Sequence, residues 1–450
     1  MGIMHTSTVD APCEEVFAWH SRPGALRRLL PPWQPMSAIS ESPSLADGQA
    51  ILGLPGGLRW RAQHRADGYD PPHRFVDERI SDSARDLPTM LSGPWRHEHE
   101  FAAQPGGQTR MTDRVHTAVP AAALRSTFRF RHRQVSDDLS RHRHAQAAGL
   151  TPMTIAVTGA SGMVGQQFTA FLTTGGHRVI RLVRRPTDAP DERTWNPECP
   201  DADLLTGVDA VVHLAGAPIA GRFTPAHKAQ IRDSRIGPTR RLAAVAAGDA
   251  AGPSIFVSAS AIGFYGHERP GETLTETDPA GDDFLADVVR DWEDATSPAV
   301  AAGLRCVQVR TGIVMSPLGG VLRLQRPLFA SGLGGPLGNG RQTMSWIDLD
   351  DLIDIYHRAL YDDRLAGPVN ACSPEPVTGS EYANTLGRVL HRPALLPVPA
   401  LGPSLILGQQ GARELALADQ RVQPWVLLHA DHRFRRPALR ESLRHQLGKA

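Results

Sequence analysis

The stretch from Thr154 to Phe168, TIAVTGASGMVGQQF, constrains this chain more than any other. An apolar run with β-branched Ile155 and Val157 enters three glycines, Gly159, Gly162 and Gly165, and continues in a helical pattern. A strand, a glycine turn and a helix N-terminus in that order make a phosphate site. Gly159 permits a tight turn, Gly162 has no side chain to hold a pyrophosphate away, and Gly165 lets helix and strand approach closely. The free N–H groups and the positive end of the helix dipole face the anion. The turn Gly159, Ala160, Ser161, Gly162, Met163, Val164 and Gly165 therefore reads as a cradle for a dinucleotide.

At 450 residues the chain exceeds what one hydrophobic core serves, so two or three domains are expected. Residues from about Met4 to about Val135 precede the glycine turn and read as a separate domain. Ala11–Leu30 carries Val16, Phe17, Leu26, Leu29 and Leu30 as candidate inward residues, with Pro23-Gly24 dividing it into two short helices. Strand candidates follow at Leu58–His64, Arg74–Ile80, Trp95–Ala103 and Thr109–Thr117, the last two joined by a hairpin turn at Pro105-Gly106-Gly107. Alternation sets Trp95, His97, His99 and Phe101 on one strand face. Two histidines there suggest metal ligands, but no third ligand accompanies them at useful spacing; they read as a half-buried face, with no metal. Ser136–Pro152 turns basic and small, and reads as a helix end and a linker.

From Met153 strands and helices alternate: Thr154–Thr158, a helix from Met163 to about Thr174, Arg178–Val183, Asp209–Ala215, a helix around Pro225–Ala247, Ser254–Ala259, a helix around Asp283–Ser297, and Arg305–Arg310. The strands are nearly continuous apolar runs, as expected where helices cover both faces of a sheet. The prediction is an α/β fold with a doubly wound parallel sheet. In such a sheet the end of the second strand selects the cofactor: an acid bonds a ribose 2′-hydroxyl, an arginine accommodates a 2′-phosphate. Arg184 stands there, nineteen residues past Gly165, so NADP(H) is expected rather than NAD. Val208–Pro218 ends in small residues that suit backbone passing close to a ligand, which brings Leu214, Ala215 and Gly216 to the cofactor.

Together TGASGMVG, VDAVVHLAGAP and FVSASAIGFYG (Phe256–Gly266) resemble the extended short-chain dehydrogenase/reductase family. Phe223–Arg235, Arg310-Thr311-Gly312 and Gly332–Leu352 look like its "epimerase family protein" branch, related to sugar-nucleotide epimerases, and Pro397–Leu447 is similar to that branch's small C-terminal segment. The resemblance implies a Rossmann-type fold and puts Arg235 among the cofactor-binding residues. The first 135 or so residues, with FVDERISDSARDLPTMLSGPWRHEHEF and GGQTRMTDRV, resemble the helix-grip domains of the START/polyketide-cyclase (SRPBCC) class. That implies an antiparallel sheet wrapped on a long C-terminal helix around an apolar cavity; a plain α+β domain with a filled core fits the same residues. The expected division is a helix-grip domain over 1–148, a reductase-like domain over 153–395 and a small segment over 396–450.

Typical members of the resembled family polarise a carbonyl or alcohol with Ser, Tyr and a Lys four residues after the Tyr. Ser260 matches the serine. In Phe284–Glu293, however, Phe284 replaces the Tyr and Val288 the Lys, and Lys228 belongs to a different predicted helix. Tyr265 is the remaining candidate acid/base, or else a structural or substrate-contacting tyrosine. Arg310, Arg341 and Trp346 are candidate substrate contacts at the cleft edge, each also readable as structural.

The 48 basic and 47 acidic side chains nearly cancel, so no long-range field points to nucleic acid or an anionic membrane. Cys13, Cys199, Cys306 and Cys372 are scattered and read as reduced thiols, and no signal peptide or membrane span is evident, so a cytoplasmic protein is expected. The expected activity is an NADP(H)-dependent reductase or epimerase-like reaction on a carbonyl or secondary alcohol of a small molecule, with an apolar ligand held in the N-terminal cavity. The competing expectation is an NADP(H)-binding redox sensor without turnover, which the missing Tyr–Lys pair favours.

Overall fold

Seven antiparallel strands build the first part of the chain in the computed structural model, which describes residues 2–86, 93–399 and 401–449. They are β1 (Gly2–Val9), β2 (Ser37–Ser40), β3 (Gln49–Gly53), β4 (Arg59–His64), β5 (Arg74–Ile80), β6 (Trp95–Gln104) and β7 (Gln108–Thr117), in the order β1-β7-β6-β5-β4-β3-β2. β4 to β7 follow the alternating runs expected of them. β1, with its HTST run, and β2, SAIS, carry too little apolar alternation to announce themselves. The β6–β7 hairpin turns through Gly106 and Gly107, both at positive φ. Residues 87–92 of the motif quoted for this domain lie outside the described residues.

Two short helices, α1 (Cys13–Ser21) and α2 (Ala25–Leu29), part at Gly24, and a 27-residue helix, α3 (Ala121–Ala147), follows the sheet. Val16, Phe17 and Trp19 from α1 pack with Phe75, Phe101 and Met111 from the sheet and with Val135 and Leu139 from α3. The linker expected from Ser136 is corrected: the helix runs on to Ala147, because Leu139 joins this core and Asp138 binds Arg28. Of the basic residues that suggested a linker, Arg143 and His144 are exposed on that helix, Arg141 is half-buried and His142 is buried.

The second sheet is parallel throughout: β8 (Thr154–Thr158), β9 (Arg178–Val183), β10 (Glu192–Thr194), β11 (Ala210–His213), β12 (Ile255–Ala261), β14 (Arg305–Thr311) and β18 (Gly367–Ala371), in the order β10-β9-β8-β11-β12-β14-β18. β13 (Glu268–Leu274), β15 (Ile313–Met315), β16 (Thr343–Met344) and β17 (Trp346–Asp348) make small pairings beside it. This is a Rossmann-like α/β fold. Helix α4 (Met163–Thr174) follows the glycine turn. The single helix expected around Pro225–Ala247 is two, α5 (Pro225–Asp233) and α6 (Ile236–Gly248), since Gly237-Pro238 favours a fresh helix start over continuation. Helix α7 (Phe284–Asp294) starts at Asp283, whose side chain accepts the Ala286 N–H at 2.8 Å.

The chain divides into two compact units: Met1–Leu150 with Thr169–Gly176 and His445–Ala450, and Thr151–Phe168 with His177–Arg444. Among the described residues no helix is long and apolar enough to cross a membrane.

In the first unit Arg28 of α2 forks onto Asp138 of α3 through two 2.8 Å bonds, with both side chains buried. Asp138→Ala leaves a buried guanidinium without its counter-charge and is expected to cost about 3–5 kcal/mol in urea denaturation. A loss below about 1 kcal/mol would show that the pair does not secure α2 to α3.

Candidate functional site

Thr158, the last residue of β8, joins the glycine turn to the end of β11. Its hydroxyl oxygen accepts the N–H groups of Leu214 at 3.0 Å and Ala215 at 3.2 Å, and its proton goes to Nδ1 of His213 at 2.7 Å. Burial holds the His213 pKa down at about 4, with the Arg235 charge adding to the effect. Gly159, at φ 65°, lies so close to this loop that a Cβ would stand 2.8 Å from the Leu214 carbonyl oxygen. A Cβ on Gly165 would stand 2.2 Å from the Gly159 carbonyl oxygen, whereas one on Gly162 would meet only that oxygen, at 3.3 Å. Thus Gly159 and Gly165 are needed for backbone packing. Gly162 leaves open space beside the first turn of α4, where Ala160, Ser161, Met163 and Val164 complete the cradle.

Arg184 lies just past β9, exposed, with no hydrogen bond or ion pair among the described residues. Its neighbour Arg185 is committed to Glu192 through two bonds of 2.9 and 2.7 Å. The two arginines that look alike in sequence thus differ: one is spent on structure and the other is available to a phosphate. Arg235 is buried. It donates to Ala217 O at 2.9 Å and Ile231 O at 3.0 Å, its guanidinium lies against Gly216, and burial lowers its pKa to about 10. It braces the Gly216–Ala217 backbone from behind.

Ser260, near the end of β12, donates to Glu293 Oε1 of α7 at 2.6 Å. Glu293 in turn receives Arg310 of β14 through two 2.8 Å bonds, and the Arg310 guanidinium stacks 3.5 Å over Phe264. Arg310 also donates to the Tyr265 hydroxyl at 3.0 Å, and Tyr265 donates to Asn370 Oδ1 at 2.7 Å. Several sequence expectations change here. Tyr265 is 0 % exposed, its hydroxyl is engaged on both sides, and burial pushes its pKa well above the usual phenol range, so as placed it cannot meet a substrate. Arg310 has its guanidinium taken up by Glu293, Tyr265 and the Phe264 ring, so it serves as an internal counter-ion in place of the expected cleft-edge contact. Trp346 is buried with its indole N–H on Glu375 O, while Arg341 is exposed.

On α7, Val288 and Trp292 are buried in the core, whereas Phe284 is only half-buried. Lys228, set aside because it lies in another helix, reaches α7 across space: Nζ stands 4.3 Å from the Phe284 ring centroid and 3.2 Å from Gln410 Oε1. Thr158, His213 and Glu293 join the site without being among the residues expected from sequence. Thr158 and His213 sit inside the quoted VTG and HLAG runs, whereas Glu293 carries no local signal, because its role depends on β12 and β14 lying side by side. The expectation that His97 and His99 lack a third ligand is also overturned: Asp77, directly across from His97 on β5, completes a group of three.

The His213 environment makes stability depend on pH. A histidine whose folded pKa is lowered binds its proton later than the unfolded chain does. Its stabilisation is therefore intact at neutral pH and lost as pH falls from about 6.5 toward 4, by about 3 kcal/mol. Thermal denaturation between pH 7 and pH 4 should show a smaller drop for His213→Asn than for the parent; equal drops would refute the assignment.

A family model described as the NAD dependent epimerase/dehydratase family matches residues 155–371, and one described as a domain of unknown function (DUF1731) matches residues 398–446. An epimerase family protein of Mycobacterium bovis is 43% identical over 292 residues, 64% of this chain and 96% of its own length. The crystal structure of a nucleoside-diphosphate sugar epimerase from Corynebacterium glutamicum aligns with 99% of this chain and 90% of its own, at 40% identity and TM-score 0.86. Human epimerase family protein SDR39U1, solved with NADPH, aligns with 66% of this chain and 100% of its own, at 30% identity and TM-score 0.62. With a glycine turn, strand order and relatives that agree, the chain belongs to the NAD dependent epimerase/dehydratase family.

Proposed function

We propose that this protein is an NADP(H)-dependent oxidoreductase or epimerase-like enzyme acting on a carbonyl or secondary alcohol of a small molecule. The observation that carries the cofactor choice is Arg184, the uncommitted guanidinium beyond β9, beside an Arg185 already paired to Glu192. The open side of Gly162 and the N-terminus of α4 hold the pyrophosphate. The NADPH in the human relative supports the same reading.

When bound, the nicotinamide gives or takes a hydride at the substrate carbon. The chain's own part is the proton. In the oxidising direction the alcohol proton passes to Ser260 Oγ as the Ser260 proton passes to Glu293, the hydrogen bond already in place at 2.6 Å; the reverse path serves reduction. Arg310 fixes the Glu293 carboxylate, and Tyr265 with Asn370 fixes Arg310, so Tyr265 is a positioning residue. This relay stands in for the absent Tyr–Lys pair.

In this reading the chain works in three parts, a helix-grip domain of the START/SRPBCC kind over 1–148, the reductase-like domain over 153–395 and the segment over 396–450. The first part's sheet, long α3 and cavity of about 350 Å³ support a role in holding an apolar ligand. A second reading, NADP(H) binding without turnover, is favoured by the enclosed Tyr265 and by Val288 in place of lysine.

Arg184→Asp is expected to weaken NADPH binding on the order of 10–100-fold and narrow the preference over NADH; an unchanged preference would sink the cofactor assignment. Ser260→Ala and Glu293→Gln should each lower kcat about 10²–10⁴-fold at unaltered NADPH affinity, in a screen of NADPH oxidation against carbonyl compounds. Tight NADPH binding with no turnover across broad carbonyl classes would favour the second reading instead.

A further inference from the structure

In the first unit, strands β5, β6 and β7 run side by side and bring four ionisable side chains to one face. Asp77 pairs with His97 across β5 and β6, and His99 pairs with Asp113 across β6 and β7. The two imidazoles, 3.8 Å apart between ring centroids, lie between the two carboxylates. On one side Asp77 Oδ2 stands 3.4 Å from His97 Nδ1 and 3.4 Å from His99 Nε2. On the other, Asp113 Oδ1 stands 3.3 Å from His97 Nε2 and 2.8 Å from His99 Nδ1.

The two carboxylates have different surroundings. Asp77, His97 and His99 line the cavity of about 350 Å³, whereas Asp113 stands behind them, its second oxygen 3.2 Å from His132 Nε2, whose Nδ1 is 2.7 Å from Ser7 Oγ. Each histidine therefore turns one ring nitrogen toward Asp77 and the other toward a buried carboxylate.

A self-contained hydrogen-bonded cluster fits these facts poorly. The Asp77 contacts are too long for good hydrogen bonds, and the buried His97 Nε2, His99 Nδ1 and Asp113 Oδ1 have no aligned hydrogen-bond partner. The same 3.4 Å spacings match the edge of a tetrahedron, about 3.3–3.4 Å for ligands at about 2.0–2.1 Å from a central ion. A carboxylate behind a ligating imidazole is the usual partner of a metal-bound histidine. One divalent ion with two neutral imidazoles also balances the two carboxylate charges, which a buried site requires.

We infer that Asp77, His97 and His99 bind one divalent transition-metal ion of the zinc or ferrous-iron type, with an open coordination position facing the cavity and the Asp113 carboxylate as a counter-charge behind both imidazoles. Two histidines and a carboxylate suit either metal, and the open position takes an oxygen donor, such as the carbonyl or carboxylate of a molecule whose apolar body fills the cavity.

The test uses the full-length protein, stripped with a chelator and titrated with Co²⁺ followed by its visible bands, then with Zn²⁺ in competition, and anaerobically with Fe²⁺. The expected result is one ion per chain. Asp77→Asn and His99→Ala should weaken binding at least 100-fold, and Asp113→Asn about 10–100-fold with the cobalt spectrum kept in form. NADPH affinity serves as the control for folding of the second unit, and far-UV circular dichroism for the first. If the stripped parent binds none of the three metals at one ion per chain, the inference falls, whatever the variants do; if Asp77→Asn binds as the parent does, the ligand set is wrong.

Discussion

Two strand ends meet at one hydroxyl group, and the rest of the cofactor cleft depends on that meeting. Thr158 closes β8 and takes both amide protons that open the loop after β11, while His213 receives its proton. Amides withdrawn from water need partners, and this hydroxyl serves two partly buried ones where the sheet ladder has run out. The loop can then lie against Gly159, which in turn needs a residue with no Cβ at positive φ. Moving the loop outward would cost both N–H groups this partner. The phosphate cradle is thus the visible edge of a small polar knot beneath it.

Local chemistry made the cradle legible in sequence. A β-branched run, three glycines at fixed offsets and a helical pattern are all properties of consecutive residues, and the structure follows them within a residue or two from β8 through β9. Arg184 was found by its distance from Gly165, yet what separates it from Arg185 is the carboxylate of Glu192, seven residues beyond Arg185. The break between α5 and α6 and the full length of α3 depart from the sequence expectation for related reasons. In the first case a Gly-Pro pair outweighed a run of good helix formers. In the second, burial of Leu139 and Asp138 held helical a stretch whose composition alone suggested a linker.

The chemistry at Ser260 was only half legible. The serine announces itself by its place after an apolar strand, and a tyrosine follows shortly on, which invites the familiar pairing of the two. Tertiary structure separates them: Tyr265 turns inward to Asn370 and Arg310, and the partner of Ser260 is a glutamate 33 residues away. Glu293 would look like an ordinary surface acid on a helix, were it not for Arg310 arriving from the neighbouring strand. An arginine with a bidentate carboxylate and a stacked aromatic ring is rigid, and the proposed proton relay through the serine rests on that rigidity. The Tyr–Lys pair supplies that by one helix spacing; here three separate strands and helices supply it.

The histidines of β6 show the same limit more sharply. Alternation along one strand puts His97 and His99 on a common face, and a search along the sequence for a third ligand at metal-site spacing finds none. The ligand search along a strand is the wrong search in an antiparallel sheet, where the nearest neighbours are the residues directly across. Asp77 and Asp113 lie 20 and 14 residues from the histidines they pair with, and registers set by two hairpins bring them in. A single-residue slip of either register would turn the carboxylate to the opposite face of the sheet. Pairing register, rather than spacing in the chain, therefore decides whether these four side chains are two exposed acids and two core histidines or one buried cluster.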